Sequence, residues 1–436
     1  MPIIEIREID RTTPYGATSQ SVVFIPGNVS NTEFTDFNKI IEINSLKKFN
    51  SLIGDTIPTY TESSDIAPYT KVGGTVEDPT YTTYDPGYML AKTAVSKGMT
   101  VLYYAPGNSG VAYTSFSAIK SAIETALTIT VSGGVETDSA LIQDLKDKRK
   151  YNITLLSNGG YSSVDKPSTT IVVPESIKGL MDVANVRGDC TFLADHTYDL
   201  SSNSDILSYA SAVDTCLNGT IDGLSGKYGA MFTPWCYYNV ANGLTNEYIL
   251  LPASLAYLDA FATSQKAGNP TYYAVAGRAR GNISGTPSRY LGDKDVEVLS
   301  VEENGVAVNP ITNVSPYGVL VWGNRTLFKN EDGLVASSFL NIRQLCSTLS
   351  KTLYTSSLAY MFEQNSDRLW INFKSDITKV LDDMKQNLGI KGYKLFKLTP
   401  DTRAQIKALI RVIPTEAVEK FDLTIELVDG EIELSL

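Results

Sequence analysis

Residues 190–217, CTFLADHTYDLSSNSDILSYASAVDTCL, decide the fold class. Cys190 to Ala194 form a short apolar run that stops at the polar pair Asp195-His196, and a helical stretch follows over Asp205–Leu217. A short apolar strand that ends in a loop and leads into a helix is the repeating unit of a parallel sheet. The same order recurs on either side. Ile153-Thr154-Leu155-Leu156 precedes a helix at Glu175–Val186, and Tyr228–Phe232 precedes a helix at Ile249–Phe261. The spacing therefore predicts an α/β class, with βαβ units around a central parallel-type sheet and α+β character elsewhere.

Towards the N-terminus, Ser21–Ile25 and Val101–Ala105 read as strands that stop at Pro26-Gly27 and Pro106-Gly107. Between Asp55 and Gly87, prolines at 58, 68, 79 and 86 leave no periodicity, which predicts a long irregular surface segment. Phe116–Leu127 is helical, Thr128–Ser132 alternates and Ser139–Lys150 is a charged helix, a set that reads as a small inserted surface domain. Towards the C-terminus, Val296–Val308 alternates as a hairpin around Asn304-Gly305, and Tyr317–Trp322 is a strand. A long helix at about 338–364 carries Phe339, Ile342, Cys346, Leu349 and Leu353 at three- and four-residue spacing. A second, at about 375–388, meets Gly389 as its C′ stop.

The chain ends in strands. Tyr393–Leu398 comes first, then Ile406, Ala408, Ile410 and Val412 alternate up to Pro414. Phe421, Leu423, Ile425 and Leu427 alternate again, and beyond Asp429-Gly430 so do Ile432, Leu434 and Leu436. A strand of this kind needs an edge to pair with, and a neighbouring subunit can supply it. At the other end Ile3, Ile4 and Ile6 give a shorter strand pattern.

Composition narrows the function. A chain of 436 residues exceeds what one core usually fills, so two or three domains are expected. An apolar fraction of 43% with 19% charge excludes a disordered chain, and the 25 tyrosines suit strands and interfaces. The net charge of −11 argues against nucleic acid as a partner. No apolar run is long enough to span a membrane, and the start lacks a secretory pattern, so folding in a cytoplasm is expected. Cys190, Cys216, Cys236 and Cys346 form no CxxC and read as buried reduced thiols. The charge is unevenly spread. Residues 338–420 hold 13 Lys and Arg against 8 Asp and Glu, a net of +5, which leaves −16 for the rest. The segment 421–436 has five acids (Asp422, Glu426, Asp429, Glu431, Glu433) and no base, so copies of the chain can meet through complementary charge.

Chemistry is sparse. His196, the one histidine, follows a predicted strand where α/β sites often lie, and reads either as a base or as a polar loop residue. No second histidine or suitably spaced cysteine makes it a zinc site. Gly223-Leu224-Ser225-Gly226-Lys227 falls short of a phosphate loop, since Ile221 stands where glycine is needed and Tyr228 where a hydroxyl should hold magnesium. The residues point to a self-assembling structural protein with no catalytic residue, metal or cofactor. A non-contractile shell or surface-layer protein, and an α/β enzyme built on His196, remain as alternatives.

Val321-Trp322-Gly323-Asn324-Arg325-Thr326 resembles the V-W-G-x-R-T signature of contractile tail sheath proteins of phages and related injection particles. In the same order, Pro234-Trp235, Leu251-Pro252-Ala253-Ser254, Ala276-Gly277 with Gly281, Asn341-Ile342-Arg343, Phe362-Glu363-Gln364-Asn365 and the stretch Arg411–Phe421 resemble further motifs of that family. The second proline of its P-P-S helix start is missing here. The resemblance covers 150–436 closely and the first 150 residues loosely. It implies hexameric rings stacked helically around a tail tube, which contract to drive the tube through a cell envelope. The implied partners are copies of the chain itself, the tail tube protein, and baseplate and tail-terminator proteins, with no nucleic acid and no membrane insertion. The implied place is the virion tail, assembled in a bacterial host's cytoplasm. The implied organisation is a linking arm over 1–20 (Ile3, Ile4, Ile6), the start of the core over 21–105, an inserted domain over 106–150, a central α/β domain over 151–330, an α+β domain over 331–420, and a linking arm over 421–436 (Phe421, Leu423, Ile425, Leu427, Ile432, Leu434). By the same resemblance Trp322, Gly323, Asn324, Arg325 and Thr326 are structural, with Arg325 pairing an acid at a junction, and Arg343, Lys351, Lys374 and Lys379 face the tube.

Overall fold

A strand buried on both faces carries no polar alternation, and the apolar runs near 22–26, 100–104, 155–157, 191–194 and 229–233 are of this kind. The computed structural model of the chain describes residues 21–62, 69–75, 79–132, 135–161, 171–198, 200, 202–220, 226–239, 248–300, 306–328, 335–400 and 405–417. Those runs are β1 (Val22–Pro26), β6 (Thr100–Tyr104), β9 (Leu155–Ser157), β10 (Thr191–Ala194) and β11 (Gly229–Thr233), and with β15 (Asn309–Val314) they form the parallel centre of one sheet. Antiparallel strands close its two ends, β16 (Gly318–Val321) beside β15 and β2 (Ile40–Ile43) beside β6. The order of this eight-stranded sheet is β16-β15-β11-β10-β9-β1-β6-β2. From β1 the chain steps one way to β6, and from β9 it steps the other way, so the switch in strand order lies between β1 and β9.

The helices α2 (Pro86–Ser96) and α7 (Ala253–Lys266) pack on each other, α2 over β1 and β6, α7 over β11. A second group forms around α5 (Glu175–Arg187), which lies against β9 and β10 and gathers α3 (Phe116–Ala126), α4 (Ala140–Lys146) and α6 (Asn203–Thr220). Phe116, Ile119, Ile123, Ile142 and Leu145 are buried in the same core as the main sheet, beside the short hairpin β7 (Ile129–Ser132) and β8 (Val135–Asp138). The small helix α1 (Leu46–Leu52) packs on α2.

Three sequence expectations are corrected. The stretch expected to be irregular holds an antiparallel sheet of β3 (Thr59–Glu62), β5 (Pro79–Tyr84) and β4 (Thr70–Gly74). Threonine and tyrosine fit a pleated surface, and the prolines punctuate it: Pro79 opens β5 and Pro86 opens α2 behind its cap Asp85. Tyr248–Leu251 is a strand, β13, paired with β12 (Cys236–Asn239), which also pairs with β14 (Thr286–Pro287); only from Ala253 does the chain turn helical. The predicted hairpin at 296–308 begins instead within a helix, α9 (Asp293–Ser300), which follows the one-turn helix α8 (Gly277–Arg280). Asp293 and Asp295 stand in its first turn, where the helix dipole favours them, and Leu299 is buried.

A second apolar cluster lies between α10 (Leu340–Leu358), α11 (Asp367–Gln386) and a two-stranded sheet of β17 (Ile390–Leu398) and β18 (Lys407–Pro414). Leu345, Leu349, Leu353, Ile377, Leu381, Met384 and Ile390 form it, with Tyr272 from the main body. At the end of α11 the left-handed position is taken by Leu388 (φ 54), not by the glycine after it. Gly389 is there for a different reason: a β-carbon would lie 2.7 Å from the Tyr272 ring.

Leu381 is fully buried at the centre of this cluster, so Leu381→Ala should lower stability by about 2–5 kcal/mol, read as a shift in the midpoint of chemical denaturation.

Candidate functional site

The stretch 322–326 joins the main sheet to α10. Asn309 on β15 clamps it: the Asn309 Oδ1 accepts from the Arg325 amide at 2.6 Å, and its Nδ2 donates to the carbonyls of Arg325 at 2.8 Å and Met231 at 3.0 Å. Gly323 lies so close that a β-carbon would sit 2.7 Å from the Asn309 Cα. The N-cap of α10 is Phe339, whose side chain accepts nothing, and Asn324 supplies the cap from across the junction. Its Oδ1 accepts from the Asn341 amide at 3.1 Å, its carbonyl from the Leu340 amide at 3.0 Å, and its Nδ2 donates to the Asn341 side chain at 2.7 Å. Thr326 donates through its amide to Ser338 O and through its hydroxyl to Ser337 O. Arg325 forms a backbone bridge with Phe339, and its guanidinium lies over that ring, 4.6 Å from the centroid. Trp322 is the surface member, 42% exposed. Asn341 stood out in the sequence only as part of the Asn341-Ile342-Arg343 motif, and nothing marked Asn309, an asparagine that opens the mixed strand NPITNV.

Of the four basic residues expected to face the tube, two reach into the chain's own body. Arg343 is buried, and its guanidinium donates to Gly188 O, at the C-terminus of α5, and covers the Tyr228 ring at 4.6 Å. The Lys351 ammonium donates to Ile153 O and Thr154 Oγ1. Both fasten α10 to the main body. Lys374 and Lys379 on α11 are exposed, Lys379 pairing with Asp376 at 3.1 Å.

The β17–β18 ribbon has one committed face. Tyr393, Leu395, Ile410 and Val412 pack on the α10–α11 cluster. The register puts Lys394 opposite Arg411, Phe396 opposite Leu409 and Leu398 opposite Lys407 on the other face, which is mixed basic and apolar. The two strands together carry Lys391, Lys394, Lys397, Lys407 and Arg411 and no acid. Among the described residues neither strand has a further strand beside it. The arm residues Ile3, Ile4 and Ile6, and Phe421, Leu423, Ile425, Leu427, Ile432 and Leu434, lie outside the described residues.

The crevice at the switch between β1 and β9 is where an open α/β sheet usually takes a ligand. Here aromatic side chains fill it. Tyr69 stacks on Trp235, donates to Gly160 O at 2.7 Å and meets Phe116, which stacks on Tyr161. Tyr60 and Tyr161 both donate to the buried Asp85 carboxylate, whose other oxygen caps α2 at the Tyr88 amide. Two more helices are capped by carboxylates from outside: Glu124 accepts from Ser176 at the start of α5, and Asp195 accepts from the Ser254 amide and hydroxyl at the start of α7. Helix N-termini attract anions, and these three hold the chain's own. His196 is buried beside them. Its Nδ1 donates to Thr197 O at 2.8 Å, so its Nε2 accepts from the Thr233 hydroxyl at 3.0 Å. Burial pushes its pKa down to about 4, so it is neutral and held on both nitrogens.

No family model and no curated protein matches the chain. Solved structures do. A chain of the sheath complex of an extracellular contractile injection system, PVC, in its contracted state aligns with a TM-score of 0.57 at 16% identity, covering 98% of this chain and 96% of that one. Chains of the anti-feeding prophage baseplate, 6-fold symmetrised, and of the anti-feeding prophage helical sheath in its contracted state align with TM-scores of 0.55 and 0.55 at 15% and 13% identity, again covering 98% of this chain. At these identities the likeness is one of fold: the chain has the architecture found in contractile sheath structures.

Asn309→Ala would strand three buried backbone groups and should cost at least about 2 kcal/mol in chemical denaturation. Burial pushes the Asp195 carboxyl up to about 7, above its unfolded value, so its contribution to stability is full below the unfolded pKa and is lost as pH rises towards 7. Asp195→Asn should therefore gain on the wild type with rising pH, by at most about 1.4 kcal/mol per unit, in denaturation midpoints taken from pH 4 to pH 7.5.

Proposed function

We propose that the chain is the repeating structural subunit of a contractile sheath, linked to its neighbours by exchanged strands. The observation that carries this is the β17–β18 ribbon: five bases, no acid and, among the described residues, an open edge on each strand. The segment 421–436 has the opposite character, with alternating apolar residues and five acids. Added to an edge in a neighbouring copy, its apolar side extends the face that covers the α10–α11 cluster, and its acids fall beside Lys394, Lys407 and Arg411. The N-terminal Ile3, Ile4 and Ile6 offer a strand for the other edge. End-to-end coverage of the contractile-sheath chains supports the reading, since it leaves no large part of the chain for another role.

A contact between two different surfaces of identical copies closes into a ring where its rotation closes and runs on as an open helix where it does not, so contacts of the first kind make hexameric rings and contacts of the second stack them helically around a tail tube. Contraction is then a move of rigid bodies from a kinetically trapped state, with the strand links kept. Of the basic set, Lys374 and Lys379 are the pair left to meet the tube. The baseplate and a tail terminator bound the stack in a particle tail assembled in a bacterial cytoplasm, and no reaction is assigned to the chain. Electron microscopy tests this directly: the full chain should form striated tubes, and the chain cut after residue 420 should stay monomeric with an unchanged melting temperature. Equal assembly by both, or a full chain that remains a monomer at high concentration, would refute it.

A further inference from the structure

The turn between α10 and α11 carries the most exposed large apolar side chain among the described residues, Phe362, at 84%. Its backbone is also in the left-handed region, at φ 68°, where a β-carbon is unfavourable and glycine or asparagine is the usual choice. Neither feature helps the isolated subunit. The turn is firmly held all the same. Tyr360, two residues earlier, folds back so that its ring meets Phe373 edge-on at 5.6 Å and its hydroxyl donates to Asp376. The amides of Tyr360 and Met361 bond to the carbonyls of Ser357 and Leu358, and Ser366 caps α11 at the Leu369 amide. Phe362 is thus presented on a fixed support, which lowers the entropy lost when a partner closes over it.

The surroundings say what that partner is. Leu358, at the end of α10, and Ile371, in the second turn of α11, are also exposed apolar side chains, at 44% and 63%. Lys397 reaches from the end of β17 to Asp367 at 3.3 Å and covers the Trp370 ring at 5.6 Å, so the turn and the open end of the ribbon form one continuous surface. That surface belongs to the part of the chain with a net charge of +5, while the remainder carries −16. The surface of opposite sign is therefore on the same molecule. We infer that Phe362 is an anchor for a second copy of this chain, seated against that copy's acidic body beside the linking strand. The inference rests on the strand-exchange reading above and adds a contact that reading does not contain.

Phe362→Ala and Phe362→Gly in the full chain test it, with assembly followed by sedimentation and electron microscopy and folding followed by thermal melting. Both variants should raise the concentration needed for assembly by about tenfold, as loss of an aromatic anchor does. The glycine variant, relieved of its β-carbon, should melt at or above the wild-type temperature. Assembly of both variants at the wild-type concentration would overturn the inference and leave strand exchange standing. A melting temperature that falls in step with assembly would make the ring part of the fold and overturn it too. A wild-type chain that never assembles would remove the strand-exchange reading, and this contact with it.

Discussion

Helix α10 starts on a residue that cannot cap it. Phe339 has no side-chain acceptor, and the first amides of a helix must be satisfied by something. Asn324 does this from the far side of a chain reversal, and Asn309 holds Asn324's neighbour in place from β15. The start of α10 is therefore hydrogen-bonded to the edge of the main sheet through side chains that are themselves buried. Arg343 and Lys351 extend the attachment along α10, each by donating to backbone carbonyls of the main body. The C-terminal unit and the main sheet are consequently joined by a row of specific polar contacts, which lose strength steeply with small displacements, and not by apolar packing alone.

The same economy governs the switch point. A doubly wound sheet offers a crevice and positive helix ends whether or not a ligand is wanted. Asp85, Glu124 and Asp195 occupy those ends, and the rings of Tyr60, Tyr69, Phe116, Tyr161 and Trp235 occupy the space. The carboxylates are costly to bury, yet each accepts at least two hydrogen bonds, which offsets much of that cost. A scaffold shared with many enzymes is here locked from within.

The parallel centre of the fold was legible because a strand buried on both faces leaves an uninterrupted apolar run, as at Cys190–Ala194. The three-stranded sheet at 59–84 was not, because its prolines sit at strand and helix starts, where they are compatible with order. The helix at Asp293–Ser300 was misread since Val296 and Val298 alternate by chance, while the spacing from Val296 to Leu299 that favours a helix is only one turn long. At the candidate site the stretch 322–326 and the Asn341-Ile342-Arg343 motif could be located, but not their contact, and Asn309 was not marked. Asn309 and Asn341 are brought to it by the fold, from 13 and 19 residues away along the chain from Trp322. The inward turn of Arg343 and Lys351 had no sequence signal, because the direction of a long side chain is set by which carbonyls lie within reach.

The basic ribbon of β17 and β18 also has a meaning for the free subunit. Among the described residues it has two open strand edges with apolar side chains between them, a general template for fibril growth. Like charges at Lys394, Lys407 and Arg411 on the open face make a second ribbon of the same kind a poor partner, since stacking two face to face would bring three cations against three. The ribbon thus disfavours its own image. Its discrimination lies in the sign of the charge, and repulsion between like ribbons opposes their association even at high concentration.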